Sequence, residues 1–373
     1  MERGRFVERI PPVLGTIHAL VDLVCVTAVL RALGVHPTDA TGTYTVVVGY
    51  DLIAFAAQLP LGLLADRVKA LRAATVAGIV LSGLAVFTTG RAEVTMVMAG
   101  IGNALFHIGA GGMVLARAGG RATPAGVFVA PGSIGLGLGL WLGPRTDIPI
   151  WPLLALGAVA LAVVVPMKAP VQTDTARSAE QGRELPARPE LAALALLLLS
   201  VTVRGFVESV GCQWCPKTAY LMVALPLVGF MARLLGGYAS DRLGWVETSL
   251  GALLLSAPLI AFNHGSLVPA LTGLLFFQMT MPVTLMAVWQ IMPRKPATAF
   301  GFPCVGLVVG TILSGEAPIR TMLDGQFLFG LVAASATALL LALELIGVRR
   351  KGGLIRRVSP HCEDGNGEEN NGC

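Results

Sequence analysis

The chain has 373 residues, 54% of them apolar and only 13% charged, with a mean hydropathy of +0.74. A soluble chain carries about 25% charged residues, so lipid is the expected solvent, and basic loops facing anionic lipid account for the formal net charge of +5 without a nucleic-acid partner. The sequence holds no P-loop, dinucleotide fingerprint or zinc-type cysteine pattern, so no cofactor is expected and no Ser/His/Asp or His-rich arrangement points to an enzyme.

About 20 mostly apolar residues cross a bilayer as a helix. Twelve stretches meet that length, at roughly 12–34, 44–65, 73–90, 93–117, 124–143, 150–168, 190–211, 218–239, 247–263, 266–291, 298–315 and 326–348. The basic start, MERGRFVERI, runs into an apolar stretch too long for a signal-peptide core and without a small-residue cleavage site, so it reads as the first span. One long polar connection, APVQTDTARSAEQGRELPARPE (169–190), falls near the midpoint. The expected fold is an all-α membrane protein of twelve transmembrane helices in two pseudo-symmetric six-helix bundles. Its parts are an N-terminal half (1–168), a cytoplasmic linker (169–190), a C-terminal half (191–350) and an acidic, glycine-rich, disordered tail (351–373).

Lys and Arg set the direction. With the N-terminus in the cytoplasm, that side holds 20 of the 27 basic residues and the other side five: Arg31, Arg91, Arg145, Lys217 and Arg320. Two more, Arg204 and Arg233, lie within spans. The expected location is the cell membrane, plasma or inner, with both termini cytoplasmic and the chain a monomer.

The halves repeat. GLLADRVKALR (62–72) follows span two and GGYASDRLGW (236–245) follows span eight, so that Asp66-Arg67 and Asp241-Arg242 lie 175 residues apart. IGLGLG (134–139) in span five is echoed by VGLVVG (305–310) in span eleven. Internal repeats are common in secondary transporters, which hold their substrate between the halves.

Twelve spans, a central loop and G-x-x-x-D-R after spans two and eight resemble the major facilitator superfamily over nearly the whole chain. The family's loop continues with glycine and then basic residues; here Val68-Lys69-Ala70 follows in the first half, and Gly244 keeps the glycine in the second. His18-x-x-x-Asp22 on span one and Phe106-His107 on span four are similar to the fosmidomycin-resistance-like branch, although Ile108 stands where that branch has proline. The resemblance implies that spans one, four, seven and ten line a central cavity. It also implies that the Asp-Arg pairs form a charge network stabilising one end-state of a transport cycle. APGSIGLGLG (130–139) is loosely similar to the glycine-proline motif of the superfamily's antiporters.

Ionisable side chains within spans are costly, and each marks a candidate site. His18/Asp22, Asn103/His107 and Arg204/Glu208 are each four residues apart, so each pair shares one helix face. A carboxylate beside a histidine suits proton exchange near neutral pH, which makes Asp22, His18 and His107 the proton-coupling candidates. Asn103, Arg204, Glu208 and Gln278 are the substrate candidates, with Arg204 pairing to Glu208 or across the cavity to Asp22. The alternative is that these pairs only hold helices together, and that His107 is a packing residue. Asp51 lies about fourteen residues from the cytoplasmic end of span two, roughly 21 Å at ~1.5 Å per residue, and either gates the outer side or reaches to water. Asp66, Arg67, Asp241 and Arg242 are gating candidates by resemblance, or ordinary helix caps. Gly109, Gly111 and Gly112 read as helix-contact positions. The methionines of FFQMTMPVTLMAVWQ (276–290) read as packing more than as a substrate wall. Of six cysteines, Cys212 and Cys215 form an external C-x-x-C, too few ligands for a confident metal site and open to a strained disulfide, but they read more as unpaired structural cysteines; Cys25 and Cys304 read as packing residues.

The expected function is proton-coupled secondary transport of a small molecule, with efflux of an amphipathic or anionic compound implied by the branch resemblance. Metabolite uptake by proton symport, or a receptor or assembly protein that kept the fold without transporting, are the alternatives.

Overall fold

The structure, a computed structural model, describes residues 2–34, 49–168, 188–210 and 221–348, and every regular element among them is a helix. In chain order these are α1 (Glu2–Leu33), α2 (Gln58–Arg67, continuing helical residues 49–56 past a turn at Ala57), α3 (Leu71–Ala85), α4 (Ala92–Leu115), α5 (Thr123–Leu142), α6 (Trp151–Val164) and α7 (Arg188–Val210). There follow α8 (Leu221–Leu243), α9 (Trp245–Ala261), α10 (Leu267–Gln278), α11 (Met281–Ile291), α12 (Pro296–Gly315), α13 (Ala317–Thr321) and α14 (Gly325–Leu345). Where lipid replaces water every backbone group must be satisfied internally, which selects helix for these apolar stretches despite their glycines. Among the described residues nine helices are long and apolar enough to cross a membrane, counting Leu267–Ile291 as one; Trp151–Val164 and Trp245–Ala261 are shorter apolar helices. The linker from 169 to 187, Cys212, Cys215, Lys217 and the tail lie outside the described residues.

Most helices begin and end within a few residues of the expected stretches; α1 begins ten residues before its expected start at 12, the expected start of span two at 44 lies outside the described residues, and one difference is of consequence. The stretch expected as one helix at 266–291 breaks at Met279 and Thr280. Pro282 has no N–H to offer the carbonyl of Gln278. Gly236 on α8 also approaches so closely that a Cβ there would lie 2.1 Å from the Met279 carbonyl oxygen.

Packing follows the small residues. In lipid, apolar area alone does not drive helices together, and close approach of backbones does. Helix α1 packs on α4 and α5, and α3 on α4 and α6; α7 packs on α12 and α14, and α9 on α10 and α14. Contacts joining the earlier helices to the later ones run from α5 to α8 and from α12 to α2 and α4. A Cβ at Gly135 would sit 2.0 Å from the Ala19 carbonyl oxygen, and one at Gly310 would sit 2.0 Å from that of Thr202. These two glycines, one in each glycine-rich echo, are 175 residues apart, the offset that relates Asp66 to Asp241. Gly109 meets α3 at Leu71 and Thr75, while Gly111 and Gly112 meet α12 at Phe300 and Ala297.

The loop after α2 keeps a backbone demand that its sequence disguises. Lys69 adopts φ 54°, a left-handed conformation, and Gly244 in the second copy has φ 118°. The lysine therefore occupies a position whose geometry suits glycine.

Candidate functional site

The i, i+4 spacing on α1 brings His18 Nε2 to 3.1 Å from Asp22 Oδ2. His18 Nδ1 lies 2.9 Å from the Phe128 carbonyl of α5. A carbonyl only accepts, so Nδ1 carries a hydrogen and donates it. A hydrogen on Nε2 or on the carboxyl oxygen would make this contact a hydrogen bond. Asn103 of α4 donates from Nδ2 to Asp22 Oδ1 at 2.7 Å. One turn on, His107 donates from Nδ1 to the Asn103 carbonyl at 2.9 Å. The two imidazoles meet edge to face, with ring centroids 4.4 Å apart. His18 and His107 are 4% and 7% exposed. Gly132 on α5 makes the room, because a Cβ there would lie 2.5 Å from His18 Nε2 and 2.8 Å from Asp22 Oδ2.

Aromatic rings floor this cluster. Phe128 stacks on His18 at 5.0 Å, Phe300 packs edge-on to Phe128 at 5.7 Å, and His107 lies 6.2 Å from Phe300. Phe300 comes from α12 and seats its ring in the notch left by Gly111 of α4.

The cluster forms one wall of a cavity of about 430 Å³. Tyr50 and Asp51 continue that wall, and Arg204, Glu208, Arg233, Met281 and Thr284 lie among the later helices that complete it. Arg204 is 3% exposed. It donates through Nη2 to the hydroxyls of Thr280 and, at 3.3 Å, Thr284. Arg233 donates through Nη1 to the Ser133 hydroxyl on α5. Among the described residues the Nε of each arginine is buried without a partner.

Two carboxylates at helix ends act alike. Asp66 accepts the backbone N–H of Ala297 at 3.0 Å, that of Thr298 at 2.7 Å and the Thr298 hydroxyl at 2.7 Å, which caps the start of α12. Asp241 accepts the N–H of Ala122 at 2.7 Å, that of Thr123 at 2.9 Å and the Thr123 hydroxyl, which caps the start of α5. Each residue of the second set lies 175 positions from its counterpart in the first. Helix N-termini attract negative charge, so the two caps tie α2 to α12 and α8 to α5. Burial raises the Asp66 carboxyl above the ordinary carboxylate range, against the lowering effect of its bonds to Thr298 and Ala297. Arg67 is exposed, and Arg242 lies over the Tyr238 ring at 4.8 Å.

Of the residues singled out in the sequence, His18, Asp22, Asp51, Asn103, His107, Arg204 and Glu208 line the one cavity, and Gln278 does not. The break after Gln278 hands its place to Thr280 and Thr284, which hold Arg204. Arg204 takes those hydroxyls in place of the expected Glu208 or Asp22 partner; among the described residues no carboxylate lies within ion-pairing distance of it. Asn103 spends its amide on Asp22. Cys304, expected only to pack, lines the cavity and donates to Gln58 Oε1 at 3.1 Å. Met281 faces the cavity while Met286 is fully buried. Arg233 was missed as a site residue, although its charge inside a span was a sufficient signal. Ser133 and Phe300 carried no such signal.

No family profile matches the sequence, and no curated protein matches it. The fold does match solved structures. A crystal structure of FucP, a major facilitator superfamily transporter, in the outward conformation superposes with a TM-score of 0.61 at 13% identity, covering 89% of this chain and 98% of that one. A variant of the E. coli fucose:proton symporter FucP gives 0.60 at 14% identity, covering 89% and 97%. The chain thus has the fold of major facilitator superfamily transporters, and with its long apolar helices it is a multi-pass membrane protein.

Proposed function

We propose that this chain is a proton-coupled secondary transporter of a small molecule, built of twelve crossings in two six-helix halves that rock about the central cavity. The observation that carries this reading is the 3.1 Å contact of His18 with Asp22 in the wall of a cavity that also presents Arg204 and Arg233. A titratable pair in a substrate cavity gives a proton and a substrate a common place to act. Asp22, His18 and His107 carry the proton, Asn103 holds Asp22 in place, and Arg204, Arg233 and Glu208 meet the substrate. Asp51 stands toward the outer mouth. Asp66 and Asp241 hold the cytoplasmic end shut, with Arg67 and Arg242 beside them, while the cavity is loaded or emptied from outside.

Efflux by proton antiport is the direction drawn from the His-x-x-x-Asp and Phe-His resemblance. Uptake by symport has separate support, since a fold neighbour is a fucose:proton symporter. Proteoliposomes separate these readings: a substrate that drives protons against its own movement means antiport, and one that moves with them means symport. The direct test compares substrate-dependent proton flux, in buffer stripped of metal by a chelator, for wild type, Asp22→Asn and His107→Ala. Loss of coupling in both variants supports the assignment. Wild-type coupling in both overturns it.

A further inference from the structure

The three proton-coupling side chains have a second chemistry. Their donor atoms, one each from His18, Asp22 and His107, all lie within 4.8 Å of one another. We propose that these residues form a binding site for a divalent transition-metal ion, open to the central cavity. Two imidazoles and one carboxylate are the donor set of zinc, cobalt, nickel and ferrous iron sites, and a poor one for calcium or magnesium.

The arrangement behind the donors fits that use. Imidazoles that bind metal present one nitrogen to the ion and donate from the other to a backbone carbonyl or carboxylate, which fixes tautomer and ring angle. Both histidines do so here, His18 to the Phe128 carbonyl and His107 to the Asn103 carbonyl. In each neutral ring the lone pair is therefore on Nε2. Asn103 holds Oδ1 of Asp22 and leaves Oδ2 beside His18. Tetrahedral bonds of ~2.1 Å place donors about 3.4 Å apart, so the donors, within 4.8 Å of one another here, draw closer by side-chain rotation when an ion binds. Gly132 leaves the donor atoms clear, since any β-carbon there would strike His18 Nε2 and Asp22 Oδ2. The fourth position falls to water or to a chelating molecule in the cavity.

This goes beyond transport and does not depend on it. A proton and a metal ion are alternative occupants of the same donors. Metal binding is read without substrate, and the proton flux above is read in chelator, so either can fail alone.

The test uses purified full-length protein with Cys212, Cys215, Cys362 and Cys373 replaced by Ser to remove competing thiolates. Chelator-stripped protein is titrated with Co²⁺, followed by visible absorption, and then with Zn²⁺. The expected result is one Co²⁺ per chain with ligand-field absorption of a low-coordinate site, displaced by Zn²⁺. His107→Gln and Asp22→Asn should each weaken binding at least ~10-fold, and Asn103→Ala, which removes only the support behind Asp22, about 10–100-fold. Thermal unfolding in chelator, compared with the parent, identifies any variant that has failed to fold, and Asn103→Ala then carries the test. Absence of stoichiometric Co²⁺ binding, or binding unchanged in the folded variants, overturns the proposal.

Discussion

Asp66 at the end of α2 holds Thr298 at the start of α12 twice, at the backbone N–H and at the hydroxyl, both at 2.7 Å. An aspartate reaching from another helix thereby does the work of an N-cap, and α12 has no side-chain cap of its own. Asp66→Asn puts an amide where two N–H donors need a carboxylate. A charged cap contributes about 1–2 kcal/mol, so, if these caps gate the cavity as proposed, the ratio of molecules closed to molecules open at this end should fall roughly 5–30-fold. Spectroscopic distances between labels at the end of α2 and the start of α12 measure this. Asp241→Asn should act the same way between α8 and α5, and the double variant should be near additive because the two caps share no partner. An unchanged distance distribution in both single variants would rule out the gate.

Arg204 and Arg233 meet hydroxyls in the cavity, and among the described residues each keeps a buried Nε without a partner. A guanidinium presents several fixed donors that an ammonium does not reproduce. Arg204→Lys should therefore weaken substrate binding about tenfold or more, in line with the ~1.5–3 kcal/mol of a hydrogen bond to a charged group. Thr284→Val, which removes one weaker partner of Arg204, should change it less. Binding measured by calorimetry in detergent checks the order; equal effects would mean that Arg204 serves packing alone.

Gly135 and Gly310 let α5 approach α1 and α12 approach α7 at repeat-related positions. In each case a Cβ would press on a carbonyl oxygen of the facing backbone, which cannot swing away as a side chain can. Gly135→Ala and Gly310→Ala should each cost about 1–3 kcal/mol, the usual penalty of overpacking, and lower the unfolding midpoint. Gly157 has open space within 4 Å, so Gly157→Ala should be neutral or stabilising, as alanine suits a helix better than glycine. Thermal unfolding of the three variants side by side tests the contrast.

Lys69, at φ 54°, stands where the second copy of the loop has Gly244. A left-handed lysine costs about 1–2 kcal/mol, and glycine's added freedom in the unfolded chain offsets roughly 0.5–1 kcal/mol of the relief. Lys69→Gly should raise stability by up to about 1 kcal/mol without changing the Asp66 contacts. A lower unfolding midpoint would show that the lysine side chain contributes something its conformation conceals.

The long helices were legible in the sequence because a bilayer sets both the length and the apolarity of what crosses it. The 175-residue offset was legible at Asp66 and Asp241, and it extends to Gly135 and Gly310, and to Thr123 and Thr298, because one packing solution is used twice. The grouping of His18, Asp22 and His107 was anticipated from i, i+4 spacing and family resemblance. Hydropathy contributed nothing to it, since it reports how much of a helix is apolar and not which way it faces.

The partners were decided in three dimensions. Asn103 meets Asp22 across 81 positions of chain, and Arg204 selects Thr280 and Thr284 over the glutamate one turn away. Helix rotation and depth set such meetings, and they are fixed by backbone contacts at single glycines and by one break before Pro282, neither of which changes average hydropathy. Read residue by residue, the chain shows apolar runs long enough for a bilayer, the positions of its long helices and the charges it carries inside them. Which of those charges face one another is set in three dimensions, because it depends on how closely two backbones can approach.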